Sequence, residues 1–196
     1  MTTYEQLPGS LPQPVADGAA DHLLGLRIPS ISLPATSGQP IDLSTVRSNW
    51  TVLYVYPMTG RPGFDLPEDW DNIPGARGCT PQSCGFRDYY SQISKFDVSI
   101  YGLSVQDTEY QQEAAMRLNL PFALLSDSKR EFGLALKLPT MGAIDSRNKE
   151  LTLYRRLTMI VADCTVKHVM YPVFPPDENA ANVYDWLSRQ ANCKDL

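Results

Sequence analysis

The sequence has no apolar run longer than residues 52–56, far short of the roughly 20 residues that a membrane-spanning helix requires. It has no excess of basic charge either: 17 Lys and Arg stand against 22 Asp and Glu, for a net charge of −5, and no run of like charge breaks the mixture. Such a surface repels a phosphate backbone, so neither a membrane nor a nucleic acid is expected as a partner. The first basic residue is Arg27. The N-terminus therefore lacks the positive start of a secretory signal and the arginines of a transit peptide, and a cytoplasmic location is the default expectation. No glycine-rich phosphate loop, dinucleotide fingerprint or Ser-His-Asp arrangement is visible, and no cofactor or metal is expected.

What is present describes a globular domain. With 43% hydrophobic and 20% charged residues over 196 positions, the chain can fill one core, at about 150 residues per domain. Residues 1–24 mix Pro, Gly, Ala and Asp without periodicity and read as an N-terminal tail ending in a short helical turn, with a single domain over 25–196. Ile28, Ile31 and Leu33, a turn at Ser37 and Gly38, then Ile41 and Leu43 predict an N-terminal β-hairpin. Residues 51–56 are β-branched and aromatic without polar alternation, the pattern of a central strand buried on both faces.

A loop over 58–78 follows, longer than ordinary connections and so expected to be functional. It carries Phe64, Leu66, Trp70 and Ile73, enough apolar surface to fold back as a compact cover. Thr80 and Pro81 read as the N-cap and first residue of a helix with Phe86, Tyr90, Ile93 and Phe96 at helical spacing. Strands are predicted over 98–105 and 122–125, helices over 107–118, from Ser126 or Asp127 to Leu136, and over 177–190, and a hairpin over 156–162 and 166–171. The alternation argues one layered α/β domain.

Four cysteines occur, Cys79, Cys84, Cys164 and Cys193. In a reducing compartment a closely spaced pair is more often catalytic or metal-binding than part of a disulfide framework. An ordinary thiol, with a pKa near 8.5, is only about 3% thiolate at neutral pH. At a helix start the free N–H groups and the macrodipole favour the anion, which makes Cys79 the attacking sulfur, while Cys84, a turn deeper, gains less. If both residues are helical they lie ~140° and ~7.5 Å apart, too far for the ~5.5 Å Cα spacing of a disulfide, and the first turn must unwind to join them. If Cys79 instead precedes a helix capped by Thr80, the two approach with little unwinding. The spacing is compatible with either.

The segment GCTPQSCGFRD (78–88), after the strand VLYVYP (52–57), resembles the active-site segment of the peroxiredoxins of the PrxQ, or bacterioferritin-comigratory-protein, group in the AhpC/TSA superfamily. PFALLSD (121–127) and RLTMIV (156–161) resemble that group's F-P-L-L-S-D and R-x-T-F segments, so the likeness runs over about 25–186. It implies a thioredoxin-like fold with a central mixed sheet flanked by helices. It also implies reduction of hydrogen peroxide and organic hydroperoxides and re-reduction by thioredoxin or glutaredoxin; a monomer or weak dimer is expected. Carried over residue by residue, it makes Cys79 peroxidatic and Cys84 resolving through an intramolecular disulfide. Pro57 becomes the shield of the pocket, and Arg156 the guanidinium beside the thiolate.

Two departures stand out. The group's pattern is P-x-x-x-T-x-x-C, but Pro57 and Cys79 are 22 positions apart, an insertion of about 15 residues. The place of the threonine then falls on Arg61 or Ala76, neither of which has a hydroxyl, and Thr59 is the candidate replacement.

Each residue also has a plainer assignment. Cys79 and Cys84 would otherwise be small buried hydrophobes, and Arg156 a surface or salt-bridging arginine. Arg155 would take the functional place if strand parity were inverted. Cys164 and His168, with Cys79 and Cys84, have types suited to a four-ligand zinc site. Cys193 reads as a free thiol, and Trp50, Trp70 and Trp186 as packing residues. A thiol–disulfide oxidoreductase acting on protein partners is the rival enzyme, although such motifs place their cysteines two apart.

Overall fold

The computed structural model describes residue 7 and residues 9–192; Cys193 lies outside the described residues. Thirteen regular elements follow one another: β1 (Ser32–Leu33), β2 (Ile41–Asp42), β3 (Trp50–Val55), α1 (Cys79–Ile93), β4 (Val98–Ser104), α2 (Thr108–Arg117), β5 (Leu124–Ser126), α3 (Glu131–Leu136), β6 (Thr140–Ile144), β7 (Glu150–Tyr154), β8 (Leu157–Ala162), β9 (Thr165–Met170) and α4 (Asn179–Asn192). The central sheet has the order β5-β4-β3-β8-β9. β3 pairs in parallel with β4 and β4 with β5, whereas β8 runs antiparallel to β3 and β9 to β8. This is the mixed sheet flanked by helices that the resemblance implied, with β1 and β2 as the N-terminal hairpin, Leu33 opposite Ile41.

β3 is the middle of the molecule because both its faces are apolar. Val52, Tyr54 and Tyr56 enter a cluster with Phe86 and Ile93 of α1, Ala114 of α2, and Val183 and Leu187 of α4. Leu53 and Val55 face the other way, into a cluster with Leu33, Phe132, Leu136, Met159 and Val161. Each fully buried Leu, Val or Phe contributes about 1.5–3 kcal/mol relative to exposure, so the two faces of one strand join the helical layer to the hairpin layer. Ala20 and Leu23, within the stretch expected to be a tail, are buried in that second cluster, with Asp21–Leu23 forming a 3-10 turn.

Two expected helix starts are corrected. Helix α1 begins at Cys79 with Gly78 as N-cap, not after a Thr80 cap. α3 begins at Glu131 rather than at Ser126 or Asp127, yet the Asp127 carboxylate still accepts from the N–H groups of Phe132 and Gly133, and from the Tyr154 hydroxyl at 2.6 Å. The hairpin of β6 and β7 was not anticipated; Thr140 pairs with Tyr154 and Ile144 with Glu150. Among the described residues no helix is long and apolar enough to cross a membrane.

Candidate active site

Gly78 fixes where α1 starts. Its φ of 105° lies where side chains are disfavoured, and a Cβ there would come 2.2 Å from Pro176 Cγ. Cys79 is thus the first helical residue and Cys84 sits inside the same helix. Of the two geometries the spacing allowed, the wound one holds, and five helical steps place the cysteines ~140° and ~7.5 Å apart. Cys79 is buried and Cys84 half-buried, and the two line different cavities.

The Cys79 sulfur accepts from Arg156 Nη2 at 3.1 Å and donates weakly to the Ala76 carbonyl at 3.5 Å. Arg156 stands just before β8 and is only 3% exposed. A buried guanidinium needs its donors answered; here both terminal nitrogens find acceptors, while Nε has none among the described residues. Nη2 also donates to the carbonyls of Gly75, Ala76 and Arg77 at 3.3, 3.0 and 3.1 Å, and Nη1 donates to Gln82 Oε1. Gln82, fully buried, donates in turn from Nε2 to Asn179 Oδ1 at 2.9 Å, which also accepts from Thr158 Oγ1 at 2.7 Å. A chain of hydrogen bonds across β8, α1 and α4 therefore aims the cation at the sulfur. Arg155, one residue earlier in the link between β7 and β8, is held instead by Asp17 and Tyr171, and its side chain is 41% exposed.

The inserted loop closes the site. Trp70, 4% exposed, packs with Leu66 and Ile73 against Met141, Ala143, Leu151 and Leu153 of the β6–β7 hairpin. Glu68 N–H donates to the Ile144 carbonyl at 2.9 Å, Arg117 donates to the Gly60 carbonyl at 3.0 Å, and Arg77 pairs with Asp71 at 3.1 Å. Phe64, expected among the packing residues, is 55% exposed and lies 4.9 Å from the Arg61 guanidinium. Met58, Leu66 and Trp70 on the loop side and Gly78 and Thr80 on the helix side leave about 10 Å³ open to a water-sized sphere at Cys79, the threshold for a single water.

Pro57 is buried where β3 ends. Thr59, the candidate hydroxyl, is engaged elsewhere: its N–H and Oγ1 both donate to Gln106 Oε1, at 2.8 and 3.1 Å, and Gln106 donates back to its carbonyl at 3.2 Å. It does not line the Cys79 pocket. Beneath the site Tyr54 and Tyr56 are fully buried, and desolvation pushes both phenols up, so they stay protonated. Tyr54 shares a hydrogen bond of 3.1 Å with Ser83, and Tyr56 accepts from Gln111 at 3.2 Å.

Cys164 donates to the Ser44 carbonyl at 2.9 Å and His168 stacks on Trp186 at 5.1 Å. Among the described residues no group of three or more His, Cys, Asp or Glu is placed to hold a metal ion.

Gln82 and Asn179 were not singled out from sequence, and Thr80 was read only as a helix cap. A signal existed for Gln82 alone: it lies three residues after Cys79, on the same helix face. Asn179 is nearly 100 residues away in the chain.

The Redoxin family profile matches residues 23–185. Peroxiredoxin bcp of Coxiella burnetii is 28% identical over 164 residues, covering 82% of this chain and 95% of that protein. Peroxiredoxin bcp1 of Schizosaccharomyces pombe is 34% identical over 130 residues, 65% of this chain and 59% of that one. The crystal structure of peroxidoxin BcpB from Mycobacterium tuberculosis superposes with a TM-score of 0.67 over 85% of this chain and 96% of that chain, at 23% identity, a likeness of fold. The chain belongs to the Redoxin family, in its PrxQ and bacterioferritin-comigratory-protein group of peroxiredoxins, and is a thiol-dependent peroxidase.

Proposed function

We propose that Cys79 is the peroxidatic residue, Cys84 the resolving one and Arg156 the guanidinium that acts beside the Cys79 sulfur. The observation that carries this is the 3.1 Å bond from Arg156 Nη2 to Cys79 Sγ at the first residue of α1, where a cation and free N–H groups meet one thiol. The Cys79 thiolate attacks a terminal peroxide oxygen and becomes a sulfenic acid. Cys84 then condenses with it, releasing water and leaving a disulfide. Thioredoxin or glutaredoxin returns the disulfide to two thiols. Pro57 shields the pocket from water. The substrates are hydrogen peroxide and organic hydroperoxides, the protein works in the cytoplasm as a monomer or weak dimer, and the single domain expected over 25–196 takes in Ala20 and Leu23 as well.

The test is single-turnover oxidation followed by recycling. Cys79→Ser should abolish oxidation; Cys84→Ser should be oxidised once and fail to recycle with either reductant. Peptide mapping after peroxide should show Cys79 bridged to Cys84. A bridge to Cys164 or Cys193 would remove Cys84 from its role, and faster turnover of a protein disulfide than of peroxide would favour the oxidoreductase alternative.

A further inference from the structure

The wall of the Cys79 pocket contains a polar group that the steps above leave unused. Thr80 lines that pocket beside Cys79 and Gly78 and is 2% exposed. Its Oγ1 is buried and has no hydrogen-bond partner among the described residues. Most buried hydroxyls are paired, and a threonine in the first turn of a helix commonly relieves itself on nearby backbone. Leaving one unpaired is unfavourable by about 1–3 kcal/mol, which an apolar side chain of the same shape avoids. Arg156 Nε is also buried without a partner among the described residues, but Arg156 does not line this pocket. Thr59 Oγ1 is held by Gln106, Ala76 and Arg61 carry no hydroxyl, and Arg156 Nη2 already serves three carbonyls and the sulfur. An unpaired hydroxyl on a residue lining a cavity of about 10 Å³, the size of one water, suits a small polar guest.

We propose that Thr80 is the hydroxyl that hydrogen-bonds the peroxide and holds it for attack by Cys79. This rests on the assignment of Cys79 as peroxidatic. As the sulfur–oxygen bond forms and the oxygen–oxygen bond breaks, sulfur is oxidised to the sulfenic acid and the peroxide is reduced. Its second oxygen leaves as hydroxide or alkoxide and takes a proton from water. Thr80 donates to that leaving oxygen, where negative charge builds up, so its hydrogen bond is stronger in the transition state than before it. Its place at the second position of α1 puts the donor one residue from the nucleophile, in compensation for the hydroxyl missing at Arg61 and Ala76.

The experiment compares wild type, Thr80→Val and Thr80→Ser by stopped-flow oxidation with hydrogen peroxide. Alkylation by iodoacetamide at the same pH and thermal unfolding are measured in parallel. Thr80→Val should slow peroxide oxidation on the order of 10²–10³-fold, the effect of losing one transition-state donor. Its alkylation rate should not change, and its Tm should be equal or higher because the unpaired hydroxyl is gone. Thr80→Ser should restore most of the peroxide rate. Oxidation of Thr80→Val at the wild-type rate overturns the proposal, as does an equal loss of oxidation and alkylation, which would mark a packing role. If wild type itself does not consume peroxide, the assignment of Cys79 falls and Thr80 with it. If wild type consumes peroxide and Thr80→Val keeps pace, Thr80 alone is removed.

Discussion

Replacing Gly78 by alanine tests whether the first turn of α1 must unwind for Cys84 to reach Cys79. At φ 105° a residue with a Cβ carries a backbone penalty of about 1–2 kcal/mol, and the new Cβ would come 2.2 Å from Pro176 Cγ. Both penalties exist only while the first turn lies wound beneath Pro176. They fall on the wound state, and the unwound state escapes them. A bias of about 1–2 kcal/mol raises the unwound fraction roughly 5–30-fold, and the overlap with Pro176 adds to it. Unwinding also releases the Gln82 bonds to Asn179 and Arg156 and the backbone bond from Gln82 N–H to Gly78, each a net contribution of about 0.5–1.5 kcal/mol. Gly78→Ala should therefore lower Tm and accelerate closure of the Cys79–Cys84 disulfide after a single oxidising pulse. Rapid quenching, alkylation and peptide mass analysis read that rate. A lowered Tm with closure unchanged or slower would show that the resolving step does not pass through unwinding of this turn.

Arg156→Met should slow Cys79 oxidation by about 10²–10³-fold and destabilise the fold by about 1–3 kcal/mol or more, because Gln82 Oε1 and the carbonyls of Gly75, Ala76 and Arg77 lose a buried donor. Arg155→Met, whose partners Asp17 and Tyr171 are at the surface, should change oxidation little, and the reverse outcome would move the role one residue. Replacing residues 64–73 with a Gly-Ser linker removes Leu66 and Trp70 from the pocket wall. It should raise the rate with cumene hydroperoxide relative to hydrogen peroxide and lower stability by about 3 kcal/mol or more; an unchanged ratio of rates would show that the loop is not a gate. Burial, followed by the nearby Arg189, holds the His168 imidazole below its usual range. The unfolded chain then binds the proton more readily, so stability rises with pH and falls as pH drops below about 6.5. Thermal melts of His168→Gln should show a shallower fall over that window than wild type, and parallel curves would count against it.

The residues of β3, the apolar spacing of α1 and α4 and the hairpin around Asp163 and Cys164 were legible in the sequence. Each is a local pattern whose period matches one element, and burial on both faces of the central strand removes the ambiguity of polar alternation. The cysteine pair was legible as two closely spaced thiols at a helix start, and the arginine through the resemblance, with Arg155 left open beside Arg156. Other features depend on residues distant in the chain. Helix α1 starts at Cys79, and not at a Thr80 cap, because Gly78 takes a positive φ beneath Pro176. α3 starts late because the Asp127 carboxylate reaches past a turn to the Phe132 and Gly133 N–H groups while holding the Tyr154 hydroxyl. The β6–β7 hairpin forms beneath the inserted loop and gains its apolar partners Leu66, Trp70 and Ile73 only there. Whether Arg155 or Arg156 meets the sulfur, and whether Thr59 or Thr80 has a free hydroxyl, was decided by Asp17 and Tyr171 holding Arg155 and by Gln106 holding Thr59, contacts that close only when the chain is folded. The sequence by itself determined which chemistry is present, because reactivity belongs to side-chain types. The tertiary structure decided which copies of those types meet, because a hydrogen bond or a closed pocket is set by distances that spacing along the chain does not encode.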